Sequence, residues 1–130
     1  MNNVKNILRW ILVLPSMIIT HILAYYIYLW IFGGGRISFF RHLEVIIAFM
    51  VSGIVSIVVG SLVAPYYKKT VSIILCVFSC TLMLVGLAVM ISRYSEYGIM
   101  GIMGNVATII GCIIGAYFIH KNIIEIDSDK

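Results

Sequence analysis

The chain has 130 residues, 62% of them hydrophobic and only 11% charged, with nine Lys or Arg against five Asp or Glu and a net charge of +4. Soluble domains carry roughly 25% charged residues, so this composition excludes a water-facing globular surface. The few basic residues are too dispersed for a nucleic-acid-binding face, and no nucleic-acid partner is expected.

All the charged residues fall between or outside four charge-free runs, Trp10–Gly35, Val45–Tyr67, Thr70–Ser92 and Tyr97–His120. Each is longer than the ~20 residues a helix needs to cross ~30 Å of hydrocarbon. In lipid every backbone N–H and C=O must be paired within its own segment, which selects helices. A membrane barrel needs short segments alternating apolar and polar residues, and runs such as Ile109-Ile110-Gly111-Cys112-Ile113-Ile114 do not alternate. The expected fold class is an all-α membrane protein, a four-transmembrane-helix up-down-up-down bundle. It forms a single integral membrane domain over 1–130, with spans at about 6–31, 44–64, 70–91 and 98–119 and a polar tail at 121–130.

The first span begins behind Lys5 and Arg9, a flank that a signal peptide would also have. Its apolar stretch continues to Phe32 without a small-x-small cleavage pattern, so it is read as a retained membrane helix. Trp10 and Trp30 lie twenty residues apart, about 30 Å along a helix, and suit the two membrane interfaces. Pro15 is expected to kink the helix and free the carbonyl of Ile11. Phe32-Gly33-Gly34-Gly35 ends the span in a turn. The segment Arg36-Ile37-Ser38-Phe39-Phe40-Arg41-His42 mixes bases with aromatics and suits the headgroup level. Ser38 is a cap candidate for the second helix, and Glu44 stands in its first turn, where the helix dipole favours an acid. The second span closes at Ala64-Pro65, and Tyr66-Tyr67-Lys68-Lys69 forms an aromatic and basic corner. Ser92-Arg93-Tyr94-Ser95-Glu96-Tyr97 links the third span to the fourth, after which Glu125-Ile126-Asp127-Ser128-Asp129-Lys130 forms a solvated end. Short connections make consecutive helices antiparallel neighbours.

With four spans, Lys5, Arg9, Lys68, Lys69, Lys121 and Lys130 share one side and Arg36, Arg41 and Arg93 the other. The excess of bases on the first side places both termini in the cytoplasm.

Polar and small residues on the spans are the candidates for function. His21 lies midway between Trp10 and Trp30, and an ionisable side chain at that depth is a functional candidate because its charged form is costly to bury. Counted from the outer ends, Ser52, Asn105 and Thr108 reach a similar depth, so His21, Ser52, Asn105 and Thr108 are expected to form a polar mid-membrane layer. The imidazole either carries a proton or ligand, or is a neutral group hydrogen-bonded to Asn105, Thr108 or Tyr25; the second alternative is the commoner in membrane bundles. Ser52, Ser56 and Gly60 are spaced four apart, as are Ala107, Gly111 and Gly115. Small side chains let helix backbones approach, and both stripes are read as helix-packing faces, Gly111-x-x-x-Gly115 serving the bundle interior or dimerisation.

Cys76, Cys80 and Cys112 all fall inside spans, which fits reduced, packed thiols and disfavours membrane thiol oxidases. His21, His42 and His120 lie at three different depths, so no metal site is expected within one chain, and no cofactor. Paired carboxylates, a phosphate-binding glycine loop and a serine–histidine–acid set at matching depth are all missing from the pattern. A surface enzyme built on Arg41, His42 and Glu44 is the weakest of the functional alternatives.

Length and span number are similar to the small multidrug resistance transporters. Their hallmark is a membrane-embedded glutamate in the first helix, and here that helix has no carboxylate. The seven-residue run Val63-Ala64-Pro65-Tyr66-Tyr67-Lys68-Lys69 resembles segments of uncharacterised small four-helix bacterial integral membrane proteins. That resemblance implies a bacterial inner-membrane location and carries no activity with it. The expectation is a non-enzymatic polytopic membrane protein whose partners are the lipid bilayer and a second copy or another membrane protein. The alternative is a small oligomeric transporter or channel with the polar layer centred on His21.

Overall fold

The computed structural model describes the backbone of residues 2–32 and 38–128 and the side chains of 3–32, 42–96 and 98–122. The glycine turn at 33–35, the basic and aromatic side chains at 36–41, the Ser38 cap and the side chains of the acidic tail lie outside the described residues. Among the described residues the chain forms four helices and no strand: α1 (Asn2–Phe32), α2 (Ser38–Val63), α3 (Lys68–Ser92) and α4 (Tyr94–Ser128). Each contains a stretch long and apolar enough to cross a membrane, Asn3–Phe32, His42–Val63, Lys68–Ser92 and Gly98–Asn122, consistent with a multi-pass membrane protein.

Helix α1 is continuous through Pro15, although the ring supplies no N–H for the carbonyl of Ile11. The corner between α2 and α3 turns on Tyr67, whose backbone is left-handed (φ 55°, ψ 40°). For a residue with a Cβ this conformation costs roughly 1–2 kcal/mol. It lets the Tyr67 carbonyl accept a hydrogen bond from the Val71 N–H at 2.9 Å, closing the first turn of α3. Asn6 Nδ2 donates to the Tyr66 hydroxyl at 2.8 Å, tying the start of α1 to the same corner.

The link between α3 and α4 is shorter than the six-residue loop expected. Only Arg93 separates the helices, its N–H donating to the Val89 carbonyl at 3.1 Å, and the chain re-enters helix at Tyr94. The real break follows at Gly98 (φ 64°, ψ −176°), a backbone conformation open essentially to glycine alone. The apolar part of α4 therefore starts at the expected residue, but by a kink and not by a loop. At its other end α4 runs on past the expected stop near 119 as far as Ser128.

Helix α2 packs against all three others, and its most extensive contact is with α4, which does not follow it in the chain. The reason is glycine. A Cβ placed on Gly53 would lie 2.8 Å from the Thr108 carbonyl oxygen, and one on Gly115 would lie 2.9 Å from that of Ile54. A Cβ on Gly111 would overlap the Met50 carbonyl outright. The two backbones thus lie in direct contact, as small-x-x-x-small faces permit. Helices α1 and α3 flank this centre: 39% and 33% of the apolar windows of α2 and α4 are buried, against 11% for each of α1 and α3. Val13 and Met17 of α1, Ile57 of α2, Ala64 just past its end, Val71 and Leu75 of α3 and Cys112 of α4 form one buried cluster where the four helices meet.

Candidate functional site: a cleft beside His21

The seam between α1 and α3 closes at one level and opens at the next. At Gly60 of α2 both flanking helices reach in, with a Cβ there meeting Leu75 Cδ1 at 2.8 Å and Met17 Cβ at 3.3 Å. One turn back along α2, at Ser56, a cavity of about 160 Å³ opens between them. Its floor is Ser56 of α2 with Thr108 and Cys112 of α4, and its walls carry His21 and Ser79. The rim is Ile18, Ile22 and Leu82, each 50% exposed. Beyond Gly60 the seam continues as a second, wholly apolar hollow of about 260 Å³ between Trp10 and Leu14 on α1 and Ile74 and Phe78 on α3.

His21 is half-buried and its imidazole approaches the main chain of Ser52. The cleft hydroxyls are already committed. Ser56 Oγ donates to the Gly53 carbonyl at 2.9 Å, Thr108 Oγ1 to the Gly104 carbonyl at 3.0 Å, and Ser79 Oγ to Met17 Sδ at 3.6 Å. The first two bond back to their own helix, the usual solution for a hydroxyl with no water at hand, and the third crosses from α3 to α1. With those protons committed, the hydroxyls offer the cleft acceptor lone pairs only.

Of the polar layer expected from depth alone, His21 and Thr108 share this cleft. Ser52 is fully buried behind His21, its hydroxyl donating to the Phe49 carbonyl at 2.8 Å. Asn105 looks elsewhere: its Nδ2 donates to Met90 Sδ at 2.9 Å, across from Gly86 on α3. Ser56, Gly60, Ala107, Gly111 and Gly115 are buried together with Ser52, and Gly111 and Gly115 are used between α4 and α2. Two neighbours of the stripes carry comparable contacts without having been singled out: Gly53, and Gly104, whose Cβ would meet the Phe49 ring at 2.9 Å. Ser79 was also missed, one of several hydroxyls on the third span that spacing alone does not rank.

The cysteines are free. Cys76 and Cys80, one turn apart on α3, pack against the buried cluster that contains Cys112. Among the described residues no group of three His, Cys, Asp or Glu side chains is placed to hold a metal ion. His42 and His120 are exposed on different helices. One oxygen of Glu44 is buried without a partner among the described residues.

Comparison with known proteins returned nothing. No family model, no curated protein and no solved structure matches the chain.

Proposed function

We propose that this chain is a non-enzymatic, multi-pass protein of the bacterial inner membrane, an up-down-up-down bundle with both termini in the cytoplasm. It acts by lateral packing with a second copy or with another membrane protein. The observation that carries this reading is surface left uncovered. The chain exposes 8825 Å², whereas a compact monomer of 14.6 kDa exposes about 6,900 Å² by the usual scaling of area with mass. The difference, roughly 1,900 Å², is about twice the ~800 Å² that a standard protein–protein interface removes from each partner. The small-residue stripes do not supply that interface, since Gly111 and Gly115 are occupied by α2; the outer faces of α1 and α3 supply it. Extraction in polymer-bounded native-membrane discs, followed by mass measurement and crosslinking, tests the proposal. Discs holding a dimer or a constant partner agree with it, and discs holding a lone monomer with no co-purifying protein overturn it.

A second reading, a small oligomeric transporter or channel with its path at the polar layer, is favoured by the position of His21 and Thr108 on one cavity. It requires proteoliposomes containing the protein to carry a flux that His21→Ala abolishes. An unchanged flux in the variant removes it.

A further inference from the structure

We propose that the His21 cleft is a site for a soft monovalent cation of the copper(I) class, held by the His21 imidazole, the Cys112 thiolate and the Met17 and Met83 thioethers. The proposal rests on the four helices spanning a membrane, and it goes beyond the association proposed above without depending on it. The cleft offers lone pairs and has no N–H or O–H to spare. Ser56, Ser79 and Thr108 have given their hydroxyl protons to the protein. His21 turns its N–H to the Ser52 main chain, which leaves the other ring nitrogen of the neutral imidazole as a lone pair. A lining of this kind rejects a ligand that brings only acceptors and suits one that takes electron pairs. It also matches the way proteins prepare a ligating histidine, whose second N–H is almost always held by a carboxylate, a backbone carbonyl or water.

Sulfur decides which cation. Met17, His21, Met83 and Cys112 all line the one cavity of about 160 Å³, and they come from α1, α3 and α4. His, Cys, Asp and Glu alone form no group of three able to hold a metal ion among the described residues; two thioethers bring the set here to four. Thiolate and thioether ligands favour soft metals such as copper(I). Met17 and His21 stand one turn apart on α1 and share a face. Ser79 Oγ, at 3.6 Å, fixes Met17 Sδ beside the cavity and leaves it a second lone pair. Both methionines are unbranched and flexible enough to close on an ion. Charge then sets the valence. Coordination converts the Cys112 S–H to a thiolate, M⁺ + R–SH giving R–S–M + H⁺, so the loaded site carries no net charge. A divalent ion such as zinc leaves a positive charge in the membrane interior, where an uncompensated charge is costly. Among the described residues no carboxylate lines the cavity to offset it. Access runs through sulfur as well. Cys76 and Cys80 pack against the buried cluster that contains Met17 and Cys112, so all three cysteines of the chain gather there. Cys76 lies about two turns into α3 from Lys68. An ion passed between these thiols reaches the cavity from the basic end without facing hydrocarbon.

The test uses the full chain, without an affinity tag, in lipid nanodiscs under ascorbate, with copper(I) as probe and bicinchoninate as competing chelator. Incorporation into discs reports on the spanning reading by itself, so a failure there is distinct from a failure to bind. Expected is one copper(I) bound per chain beyond empty discs and one proton released with each ion. X-ray absorption should show a shell of sulfur with one nitrogen. Silver(I) should displace the copper and zinc(II) should not. Cys112→Ser and His21→Ala should each lower affinity by at least the ~10–100-fold that follows changes around metal ligands. The first should also end the proton release, and the second should remove the nitrogen from the shell. Met83→Leu, a volume-conserving swap at a half-buried position where folding is not at stake, should give a smaller but measurable loss. No copper(I) above empty discs, equal competition by zinc(II), or wild-type affinity in Cys112→Ser, His21→Ala and Met83→Leu would each overturn the proposal, the last by placing the ion on Cys76 and Cys80 alone.

Discussion

A hydroxyl on an apolar helix can send its proton across to a neighbouring helix or back to a carbonyl of its own. In this protein Ser16, Ser52, Ser56, Ser72, Thr81 and Thr108 all choose the second course. They therefore act as small spacers and do not bind helices together. Ser56→Ala should change stability by less than about 1 kcal/mol, because donor and acceptor of a local bond are released without stranding a group on another helix. Unfolding measured by steric trapping in bicelles checks this; a loss of several kcal/mol would mean that the hydroxyl holds the bundle. Tyr67 is the opposite case, a residue whose backbone is strained for the sake of a corner. Tyr67→Gly should raise stability by about 1 kcal/mol, since glycine adopts φ near +55° at no steric cost. An unchanged or lowered midpoint in thermal unfolding contradicts it, and would indicate that the exposed ring anchors the corner in the headgroups.

Between helices, energy depends on which glycine faces what. Gly111 faces a carbonyl of Met50 that cannot move without displacing α2, so Gly111→Ala should cost at least the 1–3 kcal/mol typical of overpacking. Gly53→Ala and Gly115→Ala, also against backbone, should follow closely. Gly104→Ala should cost less, because the Phe49 ring it meets can turn aside. Gly86→Ala meets Asn105 only at 3.8 Å and should be neutral or stabilising by up to about 1 kcal/mol through better helix propensity. The order of melting temperatures across this set is the check. A flat series would mean that α2 and α4 do not touch in the way described.

At the scale of the whole molecule, the bundle is a close α2–α4 pair with α1 and α3 laid on it, and the cleft is a consequence of that layout. Orientation rests on the excess of bases at the end holding Lys5, Arg9, Lys68, Lys69 and Lys121. Single cysteines at the exposed positions Ser95 and Lys121, probed with a membrane-impermeant maleimide, measure it directly. Ser95→Cys should react in intact cells and Lys121→Cys only after lysis, while the native thiols inside the spans stay silent. The reverse pattern would invert the proposed topology.

The charge-free runs by themselves determined the number of long helices and their approximate bounds, because hydrocarbon admits only segments that satisfy their own backbone. They also picked out His21, since one ionisable group in an apolar span is conspicuous in a linear sequence. Of the residues matched by depth, His21 and Thr108 line one cavity and Asn105 turns to Met90, because depth says how far along a helix a residue lies and nothing about the direction in which it points. Small-residue spacing found Gly111 and Gly115 and passed over Gly53, since a stripe is legible only when several small residues recur at one spacing. The kink at Gly98 carries no signature that separates it from the other glycines. Only the tertiary structure decided that α2 pairs most closely with α4, because that contact depends on two backbones meeting at Gly53, Gly111 and Gly115. It alone decided that α1 and α3 close over Gly60 and leave a cavity beside Ser56 and His21, because the space is bounded by four helices at once.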